Sequence, residues 1–127
     1  MVVVSAVESA EQESDAALVG FSQGTMMSLY VGLRRERQLA GVLGYSGRLI
    51  APELLASDLR SRPPTLLIHG TEDQLVPFES LAHAEAALKQ AGVPVETLAC
   101  PGIEHSISPE GLERGGRFLR EVLAAAA

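Results

Sequence analysis

The chain has 127 residues, 46% of them apolar and 20% charged, which is the composition of an ordinary globular protein. Its formal net charge of −6 argues against nucleic-acid binding, since no basic face is evident in the sequence. The single cysteine, Cys100, cannot form an intrachain disulfide, and no apolar run has the length of a membrane span or a signal peptide. We therefore expect a cytoplasmic protein without a membrane span.

Short apolar runs alternate with helix-like stretches along the chain. The apolar runs predict strands at residues 16–19, 41–45, 65–69 and 93–99. Helices are predicted at residues 25–37, 78–91 and 108–126, with a short helix near residues 52–58, and the polar segment 5–15 is interpreted as the end of a further helix. Such alternation is typical of βαβ units. It predicts an α/β fold in which residues 1–127 form one three-layer α/β/α domain around a parallel sheet of about four strands.

One short motif lies between the first predicted strand and the first predicted helix. Residues 20–24 read Gly-Phe-Ser-Gln-Gly, a G-x-S-x-G sequence centred on Ser22. Strand, tight turn and helix are the context of a nucleophile elbow, in which the turn presents the serine at the carboxyl edge of the sheet. The alternative is an ordinary strand-to-helix turn in which the Ser22 side chain caps the helix.

Three side chains with catalytic chemistry follow three of the predicted strands. Ser22 follows the first strand, Asp73 the third and His105 the fourth. In a parallel α/β sheet the sites lie beyond the carboxyl ends of the strands, and Ser, Asp and His in this chain order are typical of α/β-hydrolases. Glu72 is the alternative acid, while His69 is expected to pair within the loop that presents Asp73.

Three sequence blocks resemble the phospholipase/carboxylesterase family, the α/β-hydrolase group that includes the acyl-protein thioesterases. They are the Gly-Phe-Ser-Gln-Gly motif, residues 68–77 (Ile-His-Gly-Thr-Glu-Asp-Gln-Leu-Val-Pro) and residues 101–106 (Pro-Gly-Ile-Glu-His-Ser). The resemblance implies a hydrolase of small acyl esters or thioesters that needs no cofactor and no metal ion. It also implies a set of roles, with Ser22 as the nucleophile, Asp73 as the acid, His105 as the base, the backbone N–H of Gln23 as an oxyanion donor and Val76 as a substrate-lining residue.

The chain departs from the family at two positions and in one larger respect. Thr25 stands where the family often has glycine, and Glu104 precedes the histidine where a small residue is usual. The family also has strands before the elbow strand and a His-Gly-type loop that donates a second oxyanion N–H, and neither is recognisable before residue 16. We therefore expect only the C-terminal part of an α/β-hydrolase domain, with residues 16–19 forming an open, apolar sheet edge.

An open edge of this kind invites pairing with another chain, and the sequence leaves three situations open. The chain is a truncated gene product, or its other half is supplied separately, or it forms a homodimer through the exposed sheet edge or face. Two other functions stay open beside the hydrolase. One is a catalytically silent hydrolase remnant that acts as an oligomerising or association module. The other is the C-terminal piece of a different α/β-hydrolase, such as a prolyl-oligopeptidase-like peptidase.

Overall fold

The computed structural model describes residues 2–7 and 16–126, with side chains described for residues 16–125. Its centre is a five-stranded sheet in the order β1-β2-β3-β4-β5. The strands are β1 (Val2–Val7), β2 (Ala16–Phe21), β3 (Gly41–Tyr45), β4 (Thr65–Gly70) and β5 (Val95–Cys100). Strands β2 to β5 are parallel, which confirms the predicted parallel sheet, whereas β1 runs antiparallel to β2.

Helices connect the parallel strands and follow the last one. They are α1 (Gln23–Arg34), a 3₁₀ turn (Pro52–Leu54) that continues into α2 (Leu55–Asp58), α3 (Glu79–Gln90) and α4 (Pro109–Ala126). Helix α3 ends just before Gly92, whose φ of 80° is a left-handed conformation that favours glycine. Within the described part of the chain, no helix combines the length and the apolar character needed to cross a membrane.

Two hydrophobic cores lie on opposite faces of the sheet, because successive side chains of a strand point to opposite faces. One core joins α1, α2 and α3 to the sheet through Leu29, Leu33, Leu39, Val42, Leu55, Leu67, Leu81, Ala84, Leu88 and Val93. The other core joins Phe118 of α4 to Leu43, Tyr45, Leu66, Ile68 and Cys100. The fold is therefore a three-layer α/β/α arrangement, as predicted.

Strand β1 corrects two expectations from the sequence. Residues 5–7, interpreted as part of a helical segment, belong to β1, and residues 8–15 of that segment lie outside the described residues. Strand β1 pairs along all of β2, from Val2 opposite Phe21 to Val7 opposite Ala16, so residues 16–19 do not form the expected open edge. The valine-rich start of the chain favours a strand, and the edge of β2 offers it unpaired backbone groups.

Candidate active site

Ser22 lies at the turn between β2 and α1 and has an unusual backbone conformation. Its φ of 58° and ψ of −117° are rarely adopted by residues other than glycine, and such strain costs about 1–3 kcal/mol. Helix and strand approach so closely that a Cβ at Gly20 would collide with the backbone of Gly24. This is the strand–turn–helix geometry of a nucleophile elbow. The Ser22 side chain makes no capping hydrogen bond to α1, so the alternative prediction of a capping serine is wrong.

The Ser22 hydroxyl instead contacts His105, which lies in the loop after β5. Ser22 Oγ is 3.0 Å from His105 Nε2, and His105 Nδ1 is 2.7 Å from Asp73 Oδ2. A carboxylate only accepts hydrogen bonds, so Nδ1 carries the proton, and in the neutral imidazole Nε2 then presents a lone pair to the serine hydroxyl. The ring of Phe21 packs against the imidazole with a centroid distance of 4.9 Å. Three residues predicted from the sequence are thus joined in one chain of hydrogen bonds.

Asp73 lies in the loop after β4, and its side chain has no exposed surface. Its Oδ1 accepts the backbone N–H groups of Leu75 and Val76, each at 2.9 Å. Burial by itself raises the pKa of this carboxyl. The hydrogen bonds from His105, Val76 and Leu75 outweigh burial and hold the pKa below its usual value. The Asp73 carboxylate is therefore charged at neutral pH and fixed in orientation.

A second histidine, His69 in β4, contacts the same carboxylate. It is 2% exposed, and its Nε2 lies 2.9 Å from the carbonyl oxygen of Val76. Since a carbonyl only accepts, Nε2 carries a proton, and this N–H also faces Asp73 Oδ2 at 3.4 Å. The ring of Phe78 packs edge-on against the imidazole, with centroids 6.0 Å apart. His69 therefore pairs within the loop that presents Asp73, as predicted.

Hydrogen bonds connect the loops along the carboxyl edge of the sheet. In each case the first residue after a strand donates its backbone N–H to a carbonyl near the end of the neighbouring strand. The donor–acceptor pairs are Ser22–Tyr45 (2.8 Å), Ser46–Ile68 (2.9 Å) and Thr71–Cys100 (3.1 Å). The loops after β4 and β5 also meet closely, because a Cβ at Gly70 would collide with the Ile103 carbonyl. The sheet itself thus sets the spacing of the loops that carry the site.

The remaining residues singled out in the sequence lie beside this chain of hydrogen bonds. Glu72, the alternative acid, is exposed and accepts a 3.1 Å hydrogen bond from the neighbouring threonine hydroxyl, so it does not take the place of Asp73. Val76 is 7% exposed and holds both Asp73 and His69 through its backbone. Glu104 is exposed next to the site.

The first turn of α1 offers backbone donors next to Ser22. The helix begins at Gln23. The N–H groups of Thr25 and Met26 donate to the Ser22 carbonyl at 3.0 and 3.2 Å, so the candidate donors are the N–H groups of Gln23 and Gly24, which have no carbonyl four residues earlier within the helix. No acidic side chain lies in this turn, so the positive end of the helix dipole is not neutralised there. Negative charge that develops beside Ser22 would be stabilised at this helix end.

An apolar groove of about 570 Å³ lies alongside His105, on the α4 face of the sheet. Its walls include Phe21, Leu43, Tyr45, Ile107, Leu112 and Leu119. Apolar surface that is open to solvent in this way is typical of sites that bind an apolar ligand or another polypeptide. Within residues 16–125, no group of three or more His, Cys, Asp and Glu side chains is arranged to hold a metal ion.

Two contacts at the site could not be predicted from the sequence. Phe21 packs on the imidazole, and its place directly before the serine was the one available signal. Thr25 donates its hydroxyl to the Tyr45 carbonyl at 2.7 Å, a contact between residues 20 positions apart that no local pattern records.

Comparison with known protein families gives one match over nearly the whole chain. The family model described as Phospholipase/Carboxylesterase matches residues 2–123. Acyl-protein thioesterase 1 of Gibberella zeae is 36% identical over 125 residues, a match that covers 89% of this chain and 53% of that protein. Carboxylesterase SOBER1 of Arabidopsis thaliana is 35% identical over 99 residues, covering 76% of this chain and 43% of that protein.

Solved structures agree with these sequence matches. Esterase PE8 superposes with a TM-score of 0.85 at 41% identity, and the match covers 87% of this chain and 52% of that one. SOBER1 of Arabidopsis thaliana superposes with a TM-score of 0.77 at 33% identity, covering 83% and 51%. The chain thus spans about half the length of the relatives that it matches.

Proposed function

Because the chain belongs to the phospholipase/carboxylesterase family, we propose that it carries a serine hydrolase site for acyl esters and thioesters. The observation that supports this most directly is the continuous chain of hydrogen bonds from Asp73 through His105 to Ser22, at 2.7 and 3.0 Å. Relatives named acyl-protein thioesterase and carboxylesterase support the same class of substrate.

The proposed reaction has two steps. In the first, Ser22 Oγ attacks the carbonyl carbon while His105 Nε2 takes the hydroxyl proton, and the alcohol or thiol leaves with that proton, so that the acyl group remains on Ser22. In the second, His105 takes a proton from the attacking water and returns it to Ser22 as the acid is released. Asp73 keeps the imidazole in the required tautomer and stabilises the imidazolium, and the N–H of Gln23 donates to the oxyanion.

Low or absent activity is proposed for this chain on its own. It spans about half the length of its relatives. Among the described residues, the motif assigns Gln23 as an oxyanion donor, whereas the family's second donor is expected from a loop before the elbow strand. Removal of one such donor lowers kcat by about 10²–10³-fold. Covalent labelling of Ser22 is therefore a more sensitive assay than turnover.

Labelling with a fluorophosphonate probe tests the proposal. We expect the wild-type chain to be labelled at Ser22, the Ser22→Ala variant to remain unlabelled, and His105→Gln to react far more slowly because the base is gone. His83→Gln is the matched control, since this histidine is exposed on α3, and it should label like the wild type. Folded wild-type protein that is neither labelled nor able to hydrolyse p-nitrophenyl esters would refute the proposal for this chain.

A second candidate function is an association module, a silent hydrolase remnant that pairs with a second copy of itself. The apolar groove beside α4 favours it, because exposed apolar patches are typical of protein interfaces. The sheet face is a better candidate than the edge of β2, since β1 covers that edge.

Size-exclusion chromatography with light scattering, combined with the labelling of Ser22, separates the two functions, because an inactive oligomer favours the association module and an active monomer excludes it. The association module predicts a dimer that Leu112→Glu dissociates, because this leucine lines the groove and is 64% exposed. Leu54→Glu is the control, a leucine 47% exposed that does not line the groove. A monomer at every concentration, or equal effects of both variants, would exclude pairing through this groove.

Three expectations from the sequence stay predictions. They are the cytoplasmic location, the single domain over residues 1–127, and the contact between Val76 and substrate. Only 7% of the Val76 surface is exposed and available for such a contact. The match to the phospholipase/carboxylesterase family argues against the prolyl-oligopeptidase-like alternative.

A further inference from the structure

Thr25 is a buried polar residue in the first turn of α1 that the proposed mechanism does not use. It is 2% exposed, and its hydroxyl donates a 2.7 Å hydrogen bond to the carbonyl oxygen of Tyr45 at the end of β3. The same carbonyl oxygen accepts the backbone N–H of Ser22 at 2.8 Å. One carbonyl group of β3 therefore holds both the backbone of the nucleophile and the helix that follows it.

A further hydrogen bond closes a ring around the nucleophile. The Thr25 N–H donates to the Ser22 carbonyl at 3.0 Å, so Ser22 is held at its N–H by Tyr45 and at its C=O by Thr25. The Ser22 φ of 58° is a strained conformation, which persists only where neighbouring contacts over-determine it. The Thr25 hydroxyl supplies one contact of this kind that the helix backbone alone does not provide.

The methyl group of Thr25 fits between two glycines. A Cβ at Gly44 would lie 2.5 Å from Thr25 Cγ2, and a Cβ at Gly47 would lie 2.6 Å from the same atom, closer than real Cβ atoms approach. The threonine side chain therefore fills the space between α1 and the end of β3 that these glycines leave. A glycine at position 25 would leave this space empty and would remove the second hydrogen bond to Tyr45.

We propose that Thr25 is a positioning residue for the nucleophile. Its hydroxyl, acting through the Tyr45 carbonyl, holds the elbow in the conformation that places Ser22 Oγ 3.0 Å from His105 Nε2. This inference rests on the proposed hydrolase function. The hydroxyl is bonded to β3 and not to a reacting atom, so its loss affects kcat more than KM. A nucleophile displaced by about 1 Å can lose up to about 10²-fold in rate.

The Thr25→Val variant tests the hydroxyl, because valine keeps the shape of threonine and removes the donor. We expect the kcat for a p-nitrophenyl ester and the rate of fluorophosphonate labelling of Ser22 to fall about tenfold, with KM changed by less than about twofold. Thr25→Ser keeps the hydroxyl and should recover most of the lost rate. Each rate is divided by the amount of protein whose Ser22 is labelled at completion, so that unfolded, unreactive protein does not lower the value.

Ser28→Ala is the matched control. Ser28 is another buried hydroxyl of α1, and within residues 16–125 its Oγ has no hydrogen-bond partner. Its removal should leave the labelling rate unchanged. A rate reduced as much in Ser28→Ala as in Thr25→Val would mean that any loss of a buried hydroxyl in α1 disturbs the site, and would overturn the specific role of Thr25.

Two other outcomes overturn the proposal. An equal labelling rate in Thr25→Val and the wild type would show that the hydroxyl does not position Ser22. An equal loss in Thr25→Ser, which keeps the hydroxyl, would show that the hydroxyl alone does not hold the elbow. A wild-type chain that cannot be labelled refutes the hydrolase function instead. In that case hydrogen exchange of the Ser22 amide decides whether Thr25 positions the elbow. Exchange about tenfold faster in Thr25→Val than in Thr25→Ser supports the role, and equal exchange overturns it.

Discussion

Asp73→Ala is expected to destabilise the folded chain by about 2.5–6 kcal/mol, although the residue lies in a loop. The alanine leaves the N–H of Val76 without its acceptor, and this residue is 7% exposed. A buried donor without a partner costs about 1–3 kcal/mol. His105, whose side chain is 16% exposed, loses a hydrogen bond to a charged group, worth about 1.5–3 kcal/mol. Leu75 adds little, because it is 76% exposed and water can replace its acceptor.

Asp73→Asn distinguishes the two oxygen atoms of the carboxylate. The amide oxygen can take the place of Oδ1 and accept the two backbone N–H groups, whereas the amide NH₂ then faces the N–H groups of His105 and His69. We therefore expect about half the loss of stability caused by alanine. With an N–H donor in the place of Oδ2, His105 Nδ1 has to accept and Nε2 carries the proton, so the imidazole cannot take the proton of Ser22. Labelling of Ser22 should therefore fall by about 10³–10⁴-fold.

The pH dependence of stability gives an independent measure of the same carboxylate. The pKa of Asp73 is lower in the folded chain than its usual value, so the charged form stabilises the fold. This contribution is fully present above the unfolded pKa of about 3.9 and is lost as the pH falls through the folded pKa. The difference in unfolding free energy between wild type and Asp73→Asn should therefore be constant from about pH 7 to pH 5 and shrink below about pH 4.

Urea unfolding provides the free energies for these comparisons. Glu72→Ala is the matched control, because this carboxylate is adjacent in sequence but exposed, and its removal should change stability little. Equal losses for Asp73→Ala and Glu72→Ala at pH 7 would refute the reasoning. A stability difference between wild type and Asp73→Asn that grows as the pH falls below 4 would refute the account of the pKa.

Further predictions concern three other residues of the site. His69→Leu should lower both the labelling rate and the stability, because the Val76 carbonyl and the Asp73 carboxylate lose a buried N–H donor. His69→Gln, which retains an N–H, should recover part of both. Equal behaviour of these two variants would contradict the role of His69. Ser22→Gly should be more stable than Ser22→Ala by about 1 kcal/mol in urea unfolding, since glycine adopts positive φ without strain, and equal stability would contradict it. Gly70→Ala should yield little folded protein, because its Cβ would meet the Ile103 carbonyl; a native circular dichroism spectrum would contradict this.

Strands β2 to β5 and the helices that follow them could be predicted because local composition largely determines them. The strand predicted at 41–45 is observed at Gly41–Tyr45, and all of its residues are buried. A continuous apolar run of this short length favours a buried strand over a helix. Helix α1 begins at Gln23, two residues before its predicted start. The reason is the elbow, in which the chain begins to wind directly after the strained Ser22.

Strand β1 could not be predicted from the same kind of signal. Its valines favour a strand, but the polar residues that follow favour a helix, and the decision comes from pairing with β2. The pairing partner of Ser5 is Leu18, so the contact is not local. The same limit applies to Thr25, whose position could be read in the sequence but whose acceptor, the Tyr45 carbonyl, could not.

The positions of Asp73 and His105 were predictable for a different reason. They follow from the rule that loops after parallel strands share one edge, which needs the order of the elements and not their detailed packing. The structure adds the physical connection. Ser22, Ser46 and Thr71 each donate a backbone N–H to the neighbouring strand, so the loops are spaced by the hydrogen bonds of the sheet.

These hydrogen bonds lie entirely within strands β2 to β5 and their loops. Polypeptide outside these elements is therefore not needed to align Ser22, His105 and Asp73. The alignment of Ser22, His105 and Asp73 is already determined by the sheet, at 3.0 and 2.7 Å. We expect a larger fold, such as that of the longer relatives, to act on two other features, namely the second oxyanion donor that the family resemblance implies and a cover for the apolar groove. A second donor acts in the transition state and raises kcat, whereas a cover over the groove alters substrate binding and KM. We expect neither to change the predicted requirement for Asp73, because that prediction rests on hydrogen bonds between described residues of this chain.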